Sequence, residues 1–572
     1  MLPLLLPLLL SSALTWLDPG AVKPGQPGVC VTEWTGGRNR EIPVTVMGAL
    51  DATAPGARAV LVRIDDPELK GTGVVAGMSG SPVYVGGKLL GAVAFGWTWA
   101  QEPLAGVTPF ADMRSIPLTG ETVRAAAPTL AQLAAVAGGR LDPRAVLPRL
   151  PDRARSAGPL LAVAGLSAPS GLAGELLAGA GVEPTAAGTD ASVGGAPQAG
   201  EMMAVELIWG DASVAAAGTV TAREGDRVWA FGHPLYDLGA VRLPVARARV
   251  LAVQTSYQSP FKVFTIGRPF GTLVADRRSG VVALVGRPPE GTAVTVRVAD
   301  VAGTKTWHFA VADTPILQPL LVTYLASACL TARGAAVGGA SVRLDLGVHT
   351  SDGRAVSVRQ AARGADAIAR LSAFAGAVVG FLANSPYPHP AVTAVDLTLA
   401  REERPEGAAI AEAIPERTTV TPGESLAVDV RLDPYERPVE QRRVTIRVPA
   451  DAVPGAINLV VADGASWSGY RLRAEGIDPA DYAGQLDQLR RLGSSTTLVT
   501  ALEAPDRGVA YPGVSQPDLP PSWSATLAAG LGPRALTRIQ TAVVASVQSD
   551  GTRPLEGFVR VPLTVRPRQE VP

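Results

Sequence analysis

Cysteine is almost missing from this chain: Cys30 and Cys329 are the only two in 572 residues. Two thiols allow at most one internal disulfide and cannot build a structural zinc site alone, so no disulfide scaffold or zinc module organises the fold. A bridge in an oxidising compartment and two unpaired buried thiols both remain open at this stage. Excess charge of one sign is missing as well. Lys+Arg and Asp+Glu both number 51, which leaves no electrostatic footprint for nucleic acid. Long hydrophobic runs are scarce. Residues 1–13 are apolar but too short to span a bilayer, and no later segment holds about 18 uninterrupted apolar residues. The stretch around Phe374–Phe381 follows Arg370 and is closed by Asn384, Ser385 and Pro386, which excludes a membrane span there.

The apolar start has the length of a signal-peptide core, although its first basic residue is Lys23. It predicts a leader over residues 1–17 and an exported bacterial protein of the periplasm, envelope or exterior. What is abundant is glycine (62) and proline (49) beside 47% hydrophobic residues, which suits a β-rich, turn-rich chain and opposes disorder. At roughly 150 residues per domain the length suggests three or four domains.

The fold expected is mainly β with helical insertions. Residues 18–118 form one unit that alternates apolar and polar from 28 to about 118, with strands at 42–47, 59–64 and 73–76. A hairpin pairs 83–85 with 89–95 through Gly86-Gly87, a type I′ signal. Residues 119–200 form a bridge, with helices at 125–137 and 173–180 and a small, polar linker at 188–200. Residues 201–313 return to strands, and 314–390 are helical at 316–331 and 362–382. By spacing, 391–465 reads as an immunoglobulin-like β-sandwich. The remainder, 466–572, is α+β, with a helix at 482–492 and strands at 540–548 and 557–565.

The most informative residues are Gly77-Met78-Ser79-Gly80-Ser81-Pro82, placed between two apolar runs. Flanking glycines let the backbone approach a substrate carbonyl, and the N–H groups of Gly77 and Ser79 can aim at one point as an oxyanion hole. The G-x-S-x-G nucleophile elbow requires a later glycine and then a helix. Here Ser81, Pro82 and a strand follow, which excludes that reading; a Gly/Ser turn between strands is the structural alternative.

A seryl hydroxyl needs a base, usually histidine, and only four exist. His389 lies in a Tyr-Pro-His-Pro turn, His308 within a strand, and His349 before Thr-Ser-Asp-Gly. His233 is different: in Trp229-Ala230-Phe231-Gly232-His233-Pro234-Leu235-Tyr236-Asp237 an apolar strand stops at Gly-His-Pro. That puts an imidazole at a strand end, braced by proline. A buried structural histidine is the other reading.

With the Gly87–Val93 stretch behind it, the Val75–Val83 segment resembles the serine region of the stage IV sporulation protein B peptidase family. Ile64-Asp65-Asp66-Pro67 resembles its Asp-Pro segment, Phe231-Gly232-His233 with Asp237 its Gly-His element, and Arg268–Leu273 its Pro-Phe-Gly stretch. The resemblance implies a trypsin-like double β-barrel, with residues 18–118 as serine half and 201–313 as histidine half. It implies an exported serine endopeptidase acting on a protein or peptide substrate. Ser79 is then the nucleophile, His233 the base, and Asp66 the third member, with Asp237 as the local alternative or a backbone carbonyl in that role. No cofactor, metal or nucleic acid enters. In the sporulation protein the histidine half comes first; here Ser79 precedes His233 by 154 residues, so the halves are permuted. The same triad geometry occurs in several chain orders. A non-catalytic binding or scaffold protein on this fold is the main rival, and a peptidase that cuts only itself is a second.

Overall fold

Gly86 and Gly87 lie in the left-handed region at φ 57° and 75°, so the Gly-Gly pair makes the tight turn expected of it. The strands it joins are β4 (Pro82–Val85) and β5 (Lys88–Gly96). They belong to a closed six-stranded barrel with β1 (Pro27–Trp34), β2 (Arg38–Ala54), β3 (Ala57–Ile64) and β6 (Leu104–Pro109), in the order β1-β2-β3-β6-β5-β4. Alternation fills its interior: Ile42, Val44 and Val46 on β2 meet Val60, Val62 and Ile64 on β3. The computed structural model describes residues 14–54, 57–97, 102–150, 160–166, 185–186, 188–332, 339–475, 479–506, 508–511, 514–516, 518–531 and 537–567.

A fourteen-stranded sheet follows. Its strands begin with β7 (Leu160–Ala164), β8 (Thr185–Ala186), β9 (Gly188–Thr189), β10 (Met202–Gly210), β11 (Ser213–Glu224) and β12 (Arg227–Ala230). Next come β13 (Gly239–Gln254), β14 (Phe261–Arg277), β15 (Gly280–Val285), β16 (Thr292–Asp300) and β17 (Gly303–Val311). Six of them pair in a ring: β10 with β13, β13 with β14, β14 with β15, β15 with β12, β12 with β11, and β11 with β10. Three more strands, Ala340–Thr350, Ala355–Gly364 and Val392–Glu402, extend the sheet beyond β16. The helices Leu317–Thr331 and Ala367–Ala383 share its core. A Cβ at Gly376 would stand 2.3 Å from the Pro319 carbonyl oxygen, so glycine there sets how closely these helices cross.

The C-terminal part contains a four-stranded and a five-stranded sheet around one core, in which Leu426 and Val428 meet Leu459, Val461 and Leu563. Its strands run from Ala408 to Val565, later than expected, because Phe558–Val565 pairs with Gly455–Asp463. Val392–Glu402, inside the span read as a sandwich, instead pairs with β16 and Ala340–Thr350.

Residues 73–76 are not a strand. Gly73 (φ 78°) and Gly77 (φ 95°) interrupt the extended backbone, leaving one bridge, Ala76 to Phe261. The helix expected at 125–137 begins at Leu130, where Thr129 and Gln132 close a capping box. The helix at 173–180 lies outside the described residues, as do leader residues 1–13. Leu17 N–H donates to Leu89 O (2.8 Å) and Leu89 N–H to Thr15 O (3.1 Å), so the chain is docked from there on. Residues 188–200 are tied down: Asp190 pairs with Arg249 (2.6 Å), and Gly200 N–H donates to Val220 O (2.8 Å). Both cysteines are buried free thiols. Among the described residues no helix is long and apolar enough to cross a membrane.

Candidate active site

Two successive turns carry the serine. Met78 N–H donates to Val75 O (2.9 Å) and Ser81 N–H to Met78 O (2.8 Å), with Gly77 and Gly80 (φ 94°) each third in its turn. A glycine in that place is what a type II turn requires. Ser79 sits at the second turn, 7% exposed.

The loop is docked on three strands. At its start, Ala76 N–H donates to Pro260 O (2.8 Å) and Lys262 N–H to Ala76 O (3.0 Å), which joins it to β14. On β5, Val93 O accepts from Gly80 N–H (2.7 Å), and Val93 N–H donates to Ser81 O (2.9 Å). On β11, Thr219 N–H donates to Ser79 O (2.7 Å), Thr219 Oγ1 to Gly77 O (2.8 Å), and Thr221 Oγ1 to Gly80 O (2.8 Å). The contact is close enough that a Cβ at Gly80 would lie 1.8 Å from Thr219 O.

Every carbonyl from Gly77 to Gly80 is therefore hydrogen-bonded to the protein. The N–H groups of Met78, Gly80 and Ser81 are bonded too, whereas those of Gly77 and Ser79 take no partner among the described residues. Buried backbone N–H groups are nearly always paired. These two stand on either side of Met78.

The histidine segment arrives at the same strand. Phe231 N–H donates to Thr219 O (3.3 Å), so one threonine binds the Ser79 carbonyl and the segment carrying His233. Phe231 holds φ 70°, a strained value for a bulky residue, and Gly232 follows at 68°. A Cβ at Gly232 would stand 2.8 Å from Ala92 Cβ, and Gly232 O accepts from Thr108 Oγ1 (2.6 Å); both contacts are with the first barrel. Of the four histidines only His233 is buried, at 3% exposure. Its Nδ1 lies 2.8 Å from Pro234 O. A carbonyl only accepts, so Nδ1 is the donor in this contact. No hydrogen bond joins Ser79 Oγ to the imidazole among the described residues.

The two candidate carboxylates differ in their settings. Asp66 caps a 3-10 turn by accepting from Glu68 N–H (2.8 Å) and pairs with Arg40 (2.7 Å), which engages both its oxygens. Asp237 is exposed, in a left-handed turn at φ 56°. The carboxylate beneath the histidine loop is Asp276. Fully buried, it accepts from Leu235 N–H (2.7 Å), Tyr236 N–H (2.8 Å) and Leu238 N–H (3.0 Å). Sequence reasoning missed Thr219, Thr221 and Asp276. The available signals were two threonines at period two on a small-residue strand, and an aspartate inside an apolar one.

Lys262 passes behind the serine loop. A Cβ at Gly77 would lie 3.1 Å from its Cδ, and its Nζ donates to Thr32 Oγ1 (2.7 Å), which also accepts from Ser81 Oγ (2.8 Å). Burial pushes this amine down to about 7, against the opposing pull of Glu33 and Cys30; burial pushes the Cys30 thiol up to about 12. Among the described residues no His/Cys/Asp/Glu group is arranged to hold a metal ion.

No curated protein and no solved structure matches this chain. The N-terminal region, residues 18–113, which takes in the closed barrel and the Ser79 loop, matches the SpoIVB peptidase S55 family.

Proposed function

We propose that the chain is an exported serine endopeptidase working at the seam between the closed barrel and the six-strand ring. Ser79 Oγ attacks the scissile carbonyl while His233 Nε2 takes its proton, then returns it to the leaving amine. The N–H groups of Gly77 and Ser79 stabilise the tetrahedral oxyanion. Orientation of the imidazole falls to the Pro234 carbonyl. Asp66, occupied by Arg40 and Glu68 N–H, is read as a brace of the turn leading toward the serine loop.

The ring β10-β13-β14-β15-β12-β11 is read as the second barrel of a permuted pair, and the two-sheet C-terminal part as a sandwich that docks substrate or envelope partners. The observation that carries the proposal is the loop's hydrogen bonding, in which all carbonyls are tied and only the Gly77 and Ser79 donors are left over. Against unfolded protein substrates, Ser79→Ala should lose on the order of 10⁴-fold or more in turnover. Cleavage retained in that variant defeats the proposal. The missing Ser79–imidazole bond favours a non-catalytic scaffold as second reading. That reading requires wild type and Ser79→Ala to be equally inert on every substrate, including the chain's own termini read by mass spectrometry.

A further inference from the structure

We propose that Asp276 is the positioning carboxylate of this site, doing through the backbone what a third triad member does by direct contact. The inference rests on the Ser79–His233 reading and goes beyond it, since Asp276 lies in neither sequence motif. It sits on β14 opposite Gly239, in the ladder that follows the histidine loop. Its two oxygens gather three backbone donors within four residues, from Leu235, Tyr236 and Leu238, at 2.7–3.0 Å. Those residues directly continue from Pro234, whose carbonyl accepts from His233 Nδ1.

The segment needs such a brace. Within nine residues it holds four left-handed positions, Phe231, Gly232, Asp237 and Gly239, of which two are not glycine. Strained backbone of this kind persists only where its surroundings over-determine it. On one side Thr219 and Thr108 fix Phe231 and Gly232; on the other Asp276 fixes residues 235–238. Pro234 is held between them. The angle of its carbonyl, and with it the ring and its tautomer, is set from both ends.

The experiment compares the full-length wild type with Asp276→Asn, Asp66→Asn and Ser79→Ala. The probe is a fluorophosphonate, and circular dichroism monitors folding. Asp276→Asn replaces one accepting oxygen with an amide donor facing backbone donors. It should slow labelling of Ser79 at least 100-fold while the far-ultraviolet spectrum stays native. Nitrogen-15 spectra of the wild type should place the neutral His233 proton on Nδ1, and in Asp276→Asn that preference should weaken; a merely structural aspartate would leave it unchanged. Should Asp276→Asn not fold, the wild-type spectrum decides alone, and a proton on Nε2 overturns the proposal. A loss at Asp66→Asn equal to or larger than at Asp276→Asn overturns it as well. If Ser79→Ala still labels, the peptidase reading itself has failed. If it does not label while Asp276→Asn keeps the wild-type rate, only the assignment of Asp276 fails.

Discussion

Lys262 is a fully buried amine whose one described hydrogen bond goes to a threonine hydroxyl, and its environment has a measurable consequence. Its value of about 7 in the fold lies below the ordinary 10.5, so between those limits the unfolded chain holds one more proton. This contribution to stability is present above about pH 10 and is lost as pH falls toward 7. The unfolding free energy from denaturant titrations should rise between pH 7 and 10 by an amount on the order of a few kcal/mol, and Lys262→Met should flatten that slope. Glu206 acts in the opposite sense. Burial pushes it from 4.5 up to about 7, so its contribution is present below pH 4.5 and lost as pH rises through 7. Glu206→Gln should therefore be more stable than wild type at pH 8, by chemical denaturation; equal stability contradicts the assignment. Thr219→Val removes one hydroxyl donor but keeps the strand backbone. It should cost about 1–3 kcal/mol and slow fluorophosphonate labelling of Ser79 at least tenfold, because Gly77 O is released and its neighbouring donors lose their aim. Unchanged labelling would mean that the loop holds its geometry without Thr219.

Among the elements, the serine loop shows what local sequence can and cannot reveal. The turn glycines and the hairpin were legible, because left-handed φ and the Gly-Gly turn are properties of adjacent residues. The strand expected at 73–76 was not formed, since a hydrophobic run bounded by Gly73 and Gly77 cannot stay extended through both. Thr219 and Asp276 were illegible: each acts on backbone groups about 40 to 140 residues away, and nothing in a strand's own alternation marks that. The closeness of the docking gives a direct test. Gly80→Ala places a methyl 1.8 Å from the Thr219 carbonyl oxygen, at φ 94°. It should cost at least about 3 kcal/mol in denaturant and abolish labelling even where the barrel still folds. A Gly80→Ala protein of wild-type stability would show that the loop is not seated on β11.

For the whole molecule, the question is what holds the barrel to the sheet that presents His233. Glu33, fully buried, accepts from Met202 N–H (2.9 Å), Val250 N–H (2.8 Å) and Arg247 (2.9 Å), so one carboxylate from the barrel gathers β10 and β13. Glu33→Ala leaves the Met202 and Val250 donors unpaired and removes one of the two carboxylates that hold Arg247, the other being Glu201 (3.3 Å). It should destabilise by about 3–5 kcal/mol and open the seam to limited proteolysis. The strands of residues 201–313 and the two apolar helices were readable from periodicity and composition, whereas a barrel was implied only by the resemblance of the serine segment. The extent of the C-terminal two-sheet part was not readable, because Phe558–Val565 pairs with Gly455–Asp463, about a hundred residues earlier in the chain.

The central claim is that Ser79 is a nucleophile activated by His233 across this seam. It is tested most directly by treating the full-length protein with a fluorophosphonate and mapping the adduct by mass spectrometry, in wild type and in His233→Ala. The adduct should fall on Ser79 alone, and His233→Ala should slow its formation by about 10³-fold or more. An adduct on another residue, or one on Ser79 that forms equally fast without His233, would contradict it.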